Sequence, residues 1–523
     1  MTPRRIGTSL LLKILYVVLL LVPANCPAQT ASTGTVVGTV RDVSGAVVPS
    51  AQVEIANSSV DFHREISVTS EGAYKFVQVP PGTYEIKVTA AGFQATVLTV
   101  TVNVAESALA DVTLAVGGST QTVQVSSSAS EVSLQTTNSS VGEVMDHEQI
   151  ASLPTVQRQI TQLVYLQPGT TPLIGGAEGT VGGGSVSGGR VDQNSMTLDG
   201  INVTDESEGG YLVNGLIASF PIPVDAVQEF RGTVSNPTED QNRSGGGQFA
   251  LTVRRGSNDW HGLAYDYYQN AALNANSWSN NRTNAPRPGL ISNRFGGTFG
   301  GPFWKNKAYF FLAYEGYRFP NSANVTELGI TETMRSGILR FKDAAGNLNS
   351  FNFNPANGPL SSACGPAGNQ PCDPRGVGLS PIIKQYFNFY PVANSLTAGD
   401  GGINTAGIQG PVSIPAHTDF AVARFDYVIN QSWGAFAYFL DSQQHQATTD
   451  QIDFNPAVTK GKLLVSTSSL PLYPHVFVTG TTGQLTPNLT YDFRFGYNQQ
   501  GFNFAREIPQ NILPSAGYPI QLA

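Results

Sequence analysis

The stretch that decides the fold is Leu489–Gln499, which reads LTYDFRFGYNQ. Its aromatic residues occupy every second position and therefore share one side of an extended strand: Tyr491, Phe493, Phe495 and Tyr497. Asp492 and Arg494 share the opposite side. A strand with an apolar side and a charged side is what a membrane β-barrel needs, because one side faces lipid and the other faces the lumen.

The same ten-residue alternation continues through the C-terminal half of the chain. It recurs, with aromatic residues near the segment ends, at Trp260–Gln269, Ser292–Gly301, Lys307–Tyr317, Thr418–Val428 and Trp433–Asp441. Short turns such as Ile429–Ser432 contrast with the long stretch Phe319–His417, which is the asymmetry of an outer-membrane barrel. A soluble sandwich also alternates, but it buries its aromatics and carries more charge outside. Residues 256–523 are therefore predicted to form a partial antiparallel transmembrane β-barrel of seven or eight strands.

Composition and charge exclude several classes of protein. The 523 residues have a net charge of −8 and 13% charged residues, about half of the ~25% in ordinary soluble domains. No basic patch stands out, which argues against a nucleic-acid partner. After the N-terminal region no apolar run is long enough for a membrane helix, so a membrane-spanning chain has to cross as strands.

The first 28 residues have the order of a secretory signal peptide. Arg4 and Arg5 precede the apolar run Leu10–Val22, and small residues follow at Ala24–Ala28. The run is shorter than the ~20 residues of a spanning helix, and lipidation of Cys26 fits the surrounding residues less well. The exported chain then keeps Cys364 and Cys372, which we expect to form a disulfide in an oxidising compartment.

Residues 34–116 are predicted to form a small β-sandwich. Alternating strands such as Ala51–Ile55 and Thr83–Val88 are separated by turn signals at Ser44-Gly45 and Pro80–Gly82. Residues 117–140 are polar and read as a linker. Within it, Thr120–Ser126 (TQTVQVS) has strong β propensity.

Residues 141–255 are predicted to form a compact α+β unit with long loops. Asp146–Leu153 and Arg158–Leu166 are candidate helices, and Asp199-Gly200 is a hairpin turn. Two strands are expected in PVDAVQEFRGTVS (223–235) and GGGQFALTVRRG (245–256). The whole chain is thus mainly β.

These segments resemble a known family. VVGTVRDVSGAVVPSAQVEI (36–55) and SEGAYKFVQVPPGTYEIKV (70–88) are similar to the carboxypeptidase regulatory-like domain, which has a transthyretin-like sandwich. SGGRVDQNSMTLDGINVTD (187–205), NRFGGTFGGPFWKNKAYFFLAYEGYR (293–318) and TDFAVARFDYVINQSW (418–433) resemble the Oar-like TonB-dependent receptors. The usual LPLNGR of that family is LPTVQR here, and the second half of its barrel is missing from this sequence.

The resemblance implies location in the outer membrane, with the sandwich and a plug (141–255) on the periplasmic side. It implies energised uptake of a siderophore, glycan or peptide through the TonB complex. The candidate segment for binding TonB by strand addition comprises Thr120, Gln121, Thr122, Val123, Gln124 and Val125. The alternative is that this segment is the last strand of the sandwich, or only linker.

Four plug arginines are candidates for pairing with acidic groups of the barrel lumen: Arg190, Arg243, Arg254 and Arg255. The alternative is that they are ordinary solvated residues, and Asp199 is assigned to turn chemistry. Aromatic residues at the start of the barrel are assigned to the lipid girdle or to strand packing, with ligand contact as the alternative: Trp260, Tyr265, Tyr267 and Tyr268.

Enzyme chemistry is not expected. The sandwich has one histidine, His63, and no ligand set for zinc. Neither a nucleophile elbow nor a phosphate-binding loop is present, so no catalytic residue, metal or cofactor is predicted. Two alternatives to a receptor remain: a surface adhesion or secretion-linked protein anchored by its barrel, with a carbohydrate- or protein-binding sandwich, and a non-functional truncated product.

Overall fold

The computed structural model describes most of the chain as three packed units. The residues described are 32–117, 122–125, 139–153, 158, 160–171, 185–190, 193–204, 212–213, 217–218, 222–237, 245–276, 278–282, 287, 290–355, 372–373, 377–396, 398–430, 432–454, 456–486, 489–501 and 505–506. The predicted signal peptide lies outside the described residues.

The N-terminal unit consists of two sheets. Its strands are β1 (Gly34–Asp42), β2 (Gln52–Asn57), β3 (Phe62–Ser67), β4 (Ala73–Val79), β5 (Gly82–Thr89), β6 (Ala95–Val102), β7 (Ser107–Leu109), β8 (Val112–Leu114) and β9 (Thr122–Val125). One sheet joins β4, β1, β7 and β8, and the other has the order β3-β2-β5-β6-β9. Alternate residues of both sheets meet in one apolar core, such as Val36 and Phe76 of the first sheet and Val53 and Ile86 of the second.

β9 adds a strand to this unit from the region predicted to be linker. It pairs in parallel with β6, with Ala95 opposite Thr122 and Leu98 opposite Val125. Over the residues that the structure describes, β9 is therefore an edge strand of the sandwich sheet, and binding of TonB by this segment stays a prediction.

The second unit is built on one five-stranded sheet. Its strands are β10 (Val141–Asp146), β11 (Thr170–Thr171), β12 (Ser185–Val186), β13 (Ser195–Leu198), β14 (Ile201–Asn202), β15 (Leu212–Val213), β16 (Ile217–Ala218), β17 (Val227–Ser235) and β18 (Gln248–Val253). The central sheet has the order β10-β17-β18-β13-β14. Every residue of β18 is buried, so the sheet is covered on both sides.

Helices of this unit are short. α1 (His147–Ser152) begins at Asp146, whose side chain accepts from the Gln149 amide while the Gln149 side chain caps the Asp146 amide. This reciprocal cap confirms the first predicted helix. The second predicted helix, Arg158–Leu166, is present as the 3-10 helix Ile160–Leu166.

The third unit is a large curved antiparallel sheet. Its elements are β19 (His261–Asn270), α2 (Trp278–Arg282), β20 (Ile291–Trp304), β21 (Ala308–Phe319), β22 (Ser322–Ile330), α3 (Glu332–Arg335), β23 (Ile338–Lys342), β24 (Leu348–Pro355), β25 (Cys372–Asp373), α4 (Pro381–Phe389), β26 (Thr405–Ser413), β27 (Ala416–Asn430), β28 (Trp433–Asp453), α5 (Pro456–Thr459), β29 (Val465–Leu472), β30 (His475–Thr486), β31 (Leu489–Gln499) and β32 (Ala505–Arg506). Seven long strands pair in the order β19-β20-β21-β27-β28-β30-β31. Over the described residues this sheet is open, in agreement with the prediction of a partial barrel.

The two ends of the sheet differ in their connections. Short connections join β20 to β21, β27 to β28 and β30 to β31, as the strand bounds show. At the other end, the long stretch between β21 and β27 holds the antiparallel pair of β22 and β26 and the small β23-β24-β25 sheet. The residues described within this predicted long loop therefore form an extension with its own apolar cluster around Ile408 and Val412.

The two faces of the sheet have the predicted composition. On β31, Phe493, Phe495 and Tyr497 are 59%, 53% and 55% exposed, whereas the side chains of Arg494 and Asp492 are only 12% and 11% exposed. The alternation read from the sequence thus separates an outward aromatic face from an inward charged face.

Candidate functional site

The inward face of the barrel sheet is covered by the second unit, which therefore occupies the position of a plug. Apolar side chains of both units form one continuous core. Its plug members include Ile150, Leu163, Phe230 and Leu251, and its barrel members include Phe311, Phe420, Val422, Tyr438, Val476 and Val478. Because the two units share one core, the plug cannot leave the wall without exposing apolar surface to water.

Asp199 is the charged centre of the plug–barrel contact. It lies in the turn between β13 and β14 with φ +47°, and its Oδ2 is 3.3 Å from Nη1 of Arg424 on β27. Arg494 on β31 donates to the Asp199 main-chain oxygen at 2.7 Å. Burial raises the pKa of the Asp199 carboxyl, and the two nearby guanidinium groups oppose this shift. One plug turn is thus held by arginines from two barrel strands.

Both arginines are also fixed by carboxylates on their own strands. Arg424 bonds Asp426 at 2.9 Å, and Arg494 bonds Asp492 at 2.9 Å. The two guanidinium groups lie 4.9 Å and 5.5 Å from the ring centre of Phe436. Burial of these two charges is tolerable because each guanidinium is paired with a carboxylate and both lie near the same aromatic ring.

The β13–β14 hairpin continues along the inward side of β31. Asn498 donates to the Asn202 main-chain oxygen at 3.4 Å, and Gln500 donates to that of Val203 at 3.2 Å. Gly496 gives the hairpin room, because a Cβ at this position would lie 2.5 Å from the Ile201 side chain.

Arg158, which is not among the predicted plug arginines, is a second anchor of the plug. Its Nη2 bonds Asp225 at 3.0 Å inside the plug, and its guanidinium lies 4.3 Å from the ring centre of Tyr267 on β19. Arg158 is the last residue of LPTVQR, so its place in that motif was the available signal.

The sandwich is joined to the plug through both main-chain groups of Val104. The Val104 amide donates to Glu229 at 2.7 Å, and Arg231 donates to the Val104 oxygen at 3.1 Å. Glu229 and Arg231 both belong to β17 and are buried. Burial raises the pKa of Glu229 to about 8, against the opposing effects of the Val104 amide and Arg231.

Further contacts seat the sandwich against the short-turn end of the barrel. The Asn258 amide donates to the Ser59 oxygen at 2.9 Å, and the Asn258 side chain reaches the Ser58 oxygen and Asn306 in the β20–β21 turn. A cavity of about 150 Å³ remains where the sandwich, plug and barrel meet, lined in part by Arg64, Arg255 and Trp433.

The predicted plug arginines have varied surroundings. Arg254 donates to the Asp225 main-chain oxygen at 3.4 Å and lies 5.4 Å from the Phe311 ring centre on β21. Arg255 donates to the Pro81 oxygen of the sandwich at 3.4 Å, and the Arg190 amide bonds the Gln193 side chain. Arg243 lies outside the described residues. The plug–barrel ion pair observed here has the reverse polarity, since the plug provides the acid and the barrel the arginine.

The aromatic residues at the start of the barrel divide between the faces. Trp260 is exposed, and its ring centre lies 5.5 Å from that of Phe299 on the outward face, as expected of a girdle residue. Tyr268 is also exposed. Tyr265 instead donates to Glu315 at 2.8 Å, and Tyr267 contacts Arg158. Tyr265 is therefore part of the packing within the wall, whereas Tyr267 is 44% exposed and contacts the plug through Arg158.

The remaining sequence candidates receive no further support. Thr120, Gln121 and Cys364 lie outside the described residues, and only the backbone of Cys372 is described. Among the residues described, no three or more histidine, cysteine or acidic side chains are grouped so that they could hold a metal ion. None of the helices in the described ranges combines the length and apolar character needed to cross a bilayer.

A barrel sheet with a plug on its inward face and an aromatic outward face defines a class of outer-membrane protein, and comparison with known families agrees. Residues 252–519 match the outer membrane beta barrel domain. Because the match covers half of the chain, the protein belongs to this family and to the outer membrane. Residues 35–115 match the carboxypeptidase regulatory-like domain.

Individual relatives are more distant. The chain is 24% identical over 312 residues to the TonB-dependent transporter Oar of Myxococcus xanthus. This aligned region covers 55% of this chain and 27% of the Oar protein. Similar solved structures include the siderophore receptor PirA of Acinetobacter baumannii (12% identity, TM-score 0.41, 69% of this chain and 40% of that one). Another is the outer membrane transporter YddB of Escherichia coli (12% identity, TM-score 0.36, 68% and 47%). The chain thus spans about a quarter of the curated relative, and the relatives named here are transporters and receptors rather than enzymes.

Proposed function

We propose that this protein is an outer-membrane receptor that imports a ligand with energy supplied through TonB. The observation that carries the proposal is the plug, whose core is continuous with the barrel wall and whose Asp199 turn is held by Arg424 and Arg494. A plug held in this way has to be displaced before a large ligand can pass. Displacement exposes apolar surface and separates a buried ion pair, so it requires an external source of energy.

The similarity to a TonB-dependent transporter supports the same source of energy. The segment Thr120–Val125 is proposed to bind TonB, because it precedes the plug and part of it is extended at a sheet edge. Strand addition through main-chain hydrogen bonds requires only these properties. The ligand is proposed to be of a kind that needs active uptake, such as a siderophore, glycan or peptide.

Binding of the purified periplasmic domain of TonB to the full chain tests the proposal. The unmodified protein is expected to bind, and deletion of residues 120–126 is expected to abolish binding. Deletion of residues 130–136, which removes the same number of linker residues, serves as the control. Equal binding by all three proteins would refute residues 120–126 as the binding segment, and binding by none would support the alternative of an adhesion or secretion-linked protein anchored by its barrel.

A further inference from the structure

We propose that the cavity between the sandwich, the plug and the barrel wall, here called the junction cavity, binds a small carboxylate with an aromatic body. The inference goes beyond the proposed import, since it concerns a ligand held where the three units meet rather than one that passes through the wall. Arg64 of the sandwich and Arg255 of the plug are the residues expected to hold the carboxylate.

Two guanidinium groups from different units converge at the junction cavity. Arg64 lies on sandwich strand β3, and Arg255 follows plug strand β18 by two residues. Both side chains line the cavity. Burial raises the pKa of the Tyr84 hydroxyl, and both arginines oppose this shift because each lies near that side chain. The two positive charges are therefore close to one another.

These two arginines lack the counter-charge that the other arginines of the lining have. Over the described residues, the ion pairs of the lining belong to Arg424 and Arg494, and none includes Arg64 or Arg255. Asp61 also lines the cavity, but it forms no ion pair with either arginine. Arg64 is only 4% exposed, and burial lowers its pKa. Because buried charges are normally paired, a bound carboxylate would supply the missing negative charge.

Two buried polar atoms of the lining also lack a hydrogen-bond partner among the described residues. They are Nε of Arg64 and the hydroxyl oxygen of Thr252 on β18, and Thr252 is only 4% exposed. Buried polar groups without a partner are rare in folded proteins. A carboxylate accepts several hydrogen bonds through its two oxygens, so one ligand can satisfy a guanidinium and a hydroxyl together.

Aromatic rings form the apolar part of the lining, and each unit except the plug contributes at least one. Phe62 belongs to the sandwich, Tyr309 to β21, and Trp433 and Phe436 to β28. The cavity volume of about 150 Å³ is that of a cavity able to take up one benzene ring. An apolar lining with a few convergent polar groups is typical of a small-molecule site. Benzoate, which has one ring and one carboxylate, is therefore the probe for this site.

Binding of benzoate to the full chain in detergent tests the inference, with benzamide as a neutral analogue of nearly the same shape. Calorimetry should show that benzoate binds at least tenfold more tightly than benzamide. Benzoate should also raise the apparent melting temperature, because a ligand that binds only the folded protein stabilises it. Equal binding of the two compounds, or binding of neither, would overturn the inference.

Substitutions locate the site. Arg255→Gln removes a half-buried guanidinium and is expected to weaken benzoate binding tenfold or more, as is Arg64→Gln. Thr252→Val keeps both arginines and the shape of the side chain, and is expected to weaken binding about threefold.

Arg41→Gln is the matched control, since it removes an exposed arginine of the sandwich and should leave the affinity unchanged. The melting temperature of each variant without ligand shows whether it folds, and Thr252→Val decides the test if an arginine variant does not. Benzoate binding by the folded cavity variants that is as tight as binding by Arg41→Gln would place the ligand elsewhere and overturn the inference.

Discussion

At the scale of single residues, Asp199 has two roles of which the sequence indicated one. Its position before Gly200 and its φ of +47° are those of a turn residue, a conformation that Asp and Asn tolerate better than most residues. Its carboxylate also faces Arg424 across the plug–barrel contact. The alternation on β27 and β31 indicated that Arg424 and Arg494 point inward, but it did not indicate their partner.

We predict that Asp199→Asn weakens the attachment of the plug. Asparagine keeps the turn but removes the charge, so one carboxylate that compensates Arg424 is lost while Asp426 remains. Removal of one member of a buried charged hydrogen bond costs about 1–3 kcal/mol. The apparent melting temperature of the protein in detergent should fall, and protease should cut the plug faster.

Glu65→Gln is the matched control for this substitution, since it removes an exposed carboxylate of the sandwich. Its melting temperature and rate of proteolysis should equal those of the unmodified protein. If Asp199→Asn behaves like Glu65→Gln, the ion pair contributes nothing to plug attachment and the turn alone accounts for the aspartate.

At the scale of elements, the strands of the barrel were predictable and several of their neighbours were not. Alternation identified β27 and β31 because each strand has one apolar and one polar face, and that pattern is local. The 3-10 helix at Ile160–Leu166 and the pairing of β9 with β6 were not determined by local pattern. Both depend on which surface the segment packs against, and propensity does not carry that information.

The contact of the β13–β14 hairpin with β31 leads to a second prediction. Gly496→Val should force the hairpin away from the wall, because its Cβ would lie 2.5 Å from Ile201. The expected cost is about 1–3 kcal/mol, as for overpacking elsewhere. The apparent melting temperature of Gly496→Val should therefore be lower than that of the unmodified protein. Gly501→Val should leave it unchanged, because nothing lies within 4 Å of the added Cβ. Equal melting temperatures for the two variants would contradict close packing of the hairpin.

At the scale of the whole molecule, the three units are joined by contacts between residues far apart in the chain. Val104 of the sandwich and Glu229 of the plug are 125 residues apart, and Asp199 and Arg424 are 225 residues apart. Asn258 bonds both the sandwich and the β20–β21 turn. The sandwich is therefore part of a continuous assembly with the plug and the wall.

Glu229 makes the joint between sandwich and plug sensitive to pH. Burial raises its pKa to about 8 from an ordinary value of 4.5, so between these values the folded protein holds a proton that the unfolded chain releases. This group therefore lowers the folding stability as the pH rises from about 4.5 to about 8. We predict that Glu229→Gln, which keeps an acceptor for the Val104 amide, makes the melting temperature less dependent on pH over this range.

The prediction is checked by thermal unfolding in detergent at about pH 5.5, 7 and 8.5. The melting temperature of Glu229→Gln should exceed that of the unmodified protein by the largest amount at the highest pH, where the buried carboxylate of the unmodified protein is charged. Glu65→Gln should keep the unmodified dependence on pH. An identical slope in all three proteins would show that Glu229 does not hold its proton in the folded state.

The sequence by itself determined the features that repeat within short distances along the chain. These are the alternation of the barrel strands, the turn at Asp199-Gly200, the capped helix after Asp146 and the motifs that resemble the family. Only the tertiary structure decided which partners meet: Asp199 with Arg424 and Arg494, Arg158 with Tyr267, and Val104 with Glu229 and Arg231. The physical reason is that alternation fixes the face on which a side chain lies, whereas its partner depends on the register and docking of units more than a hundred residues apart.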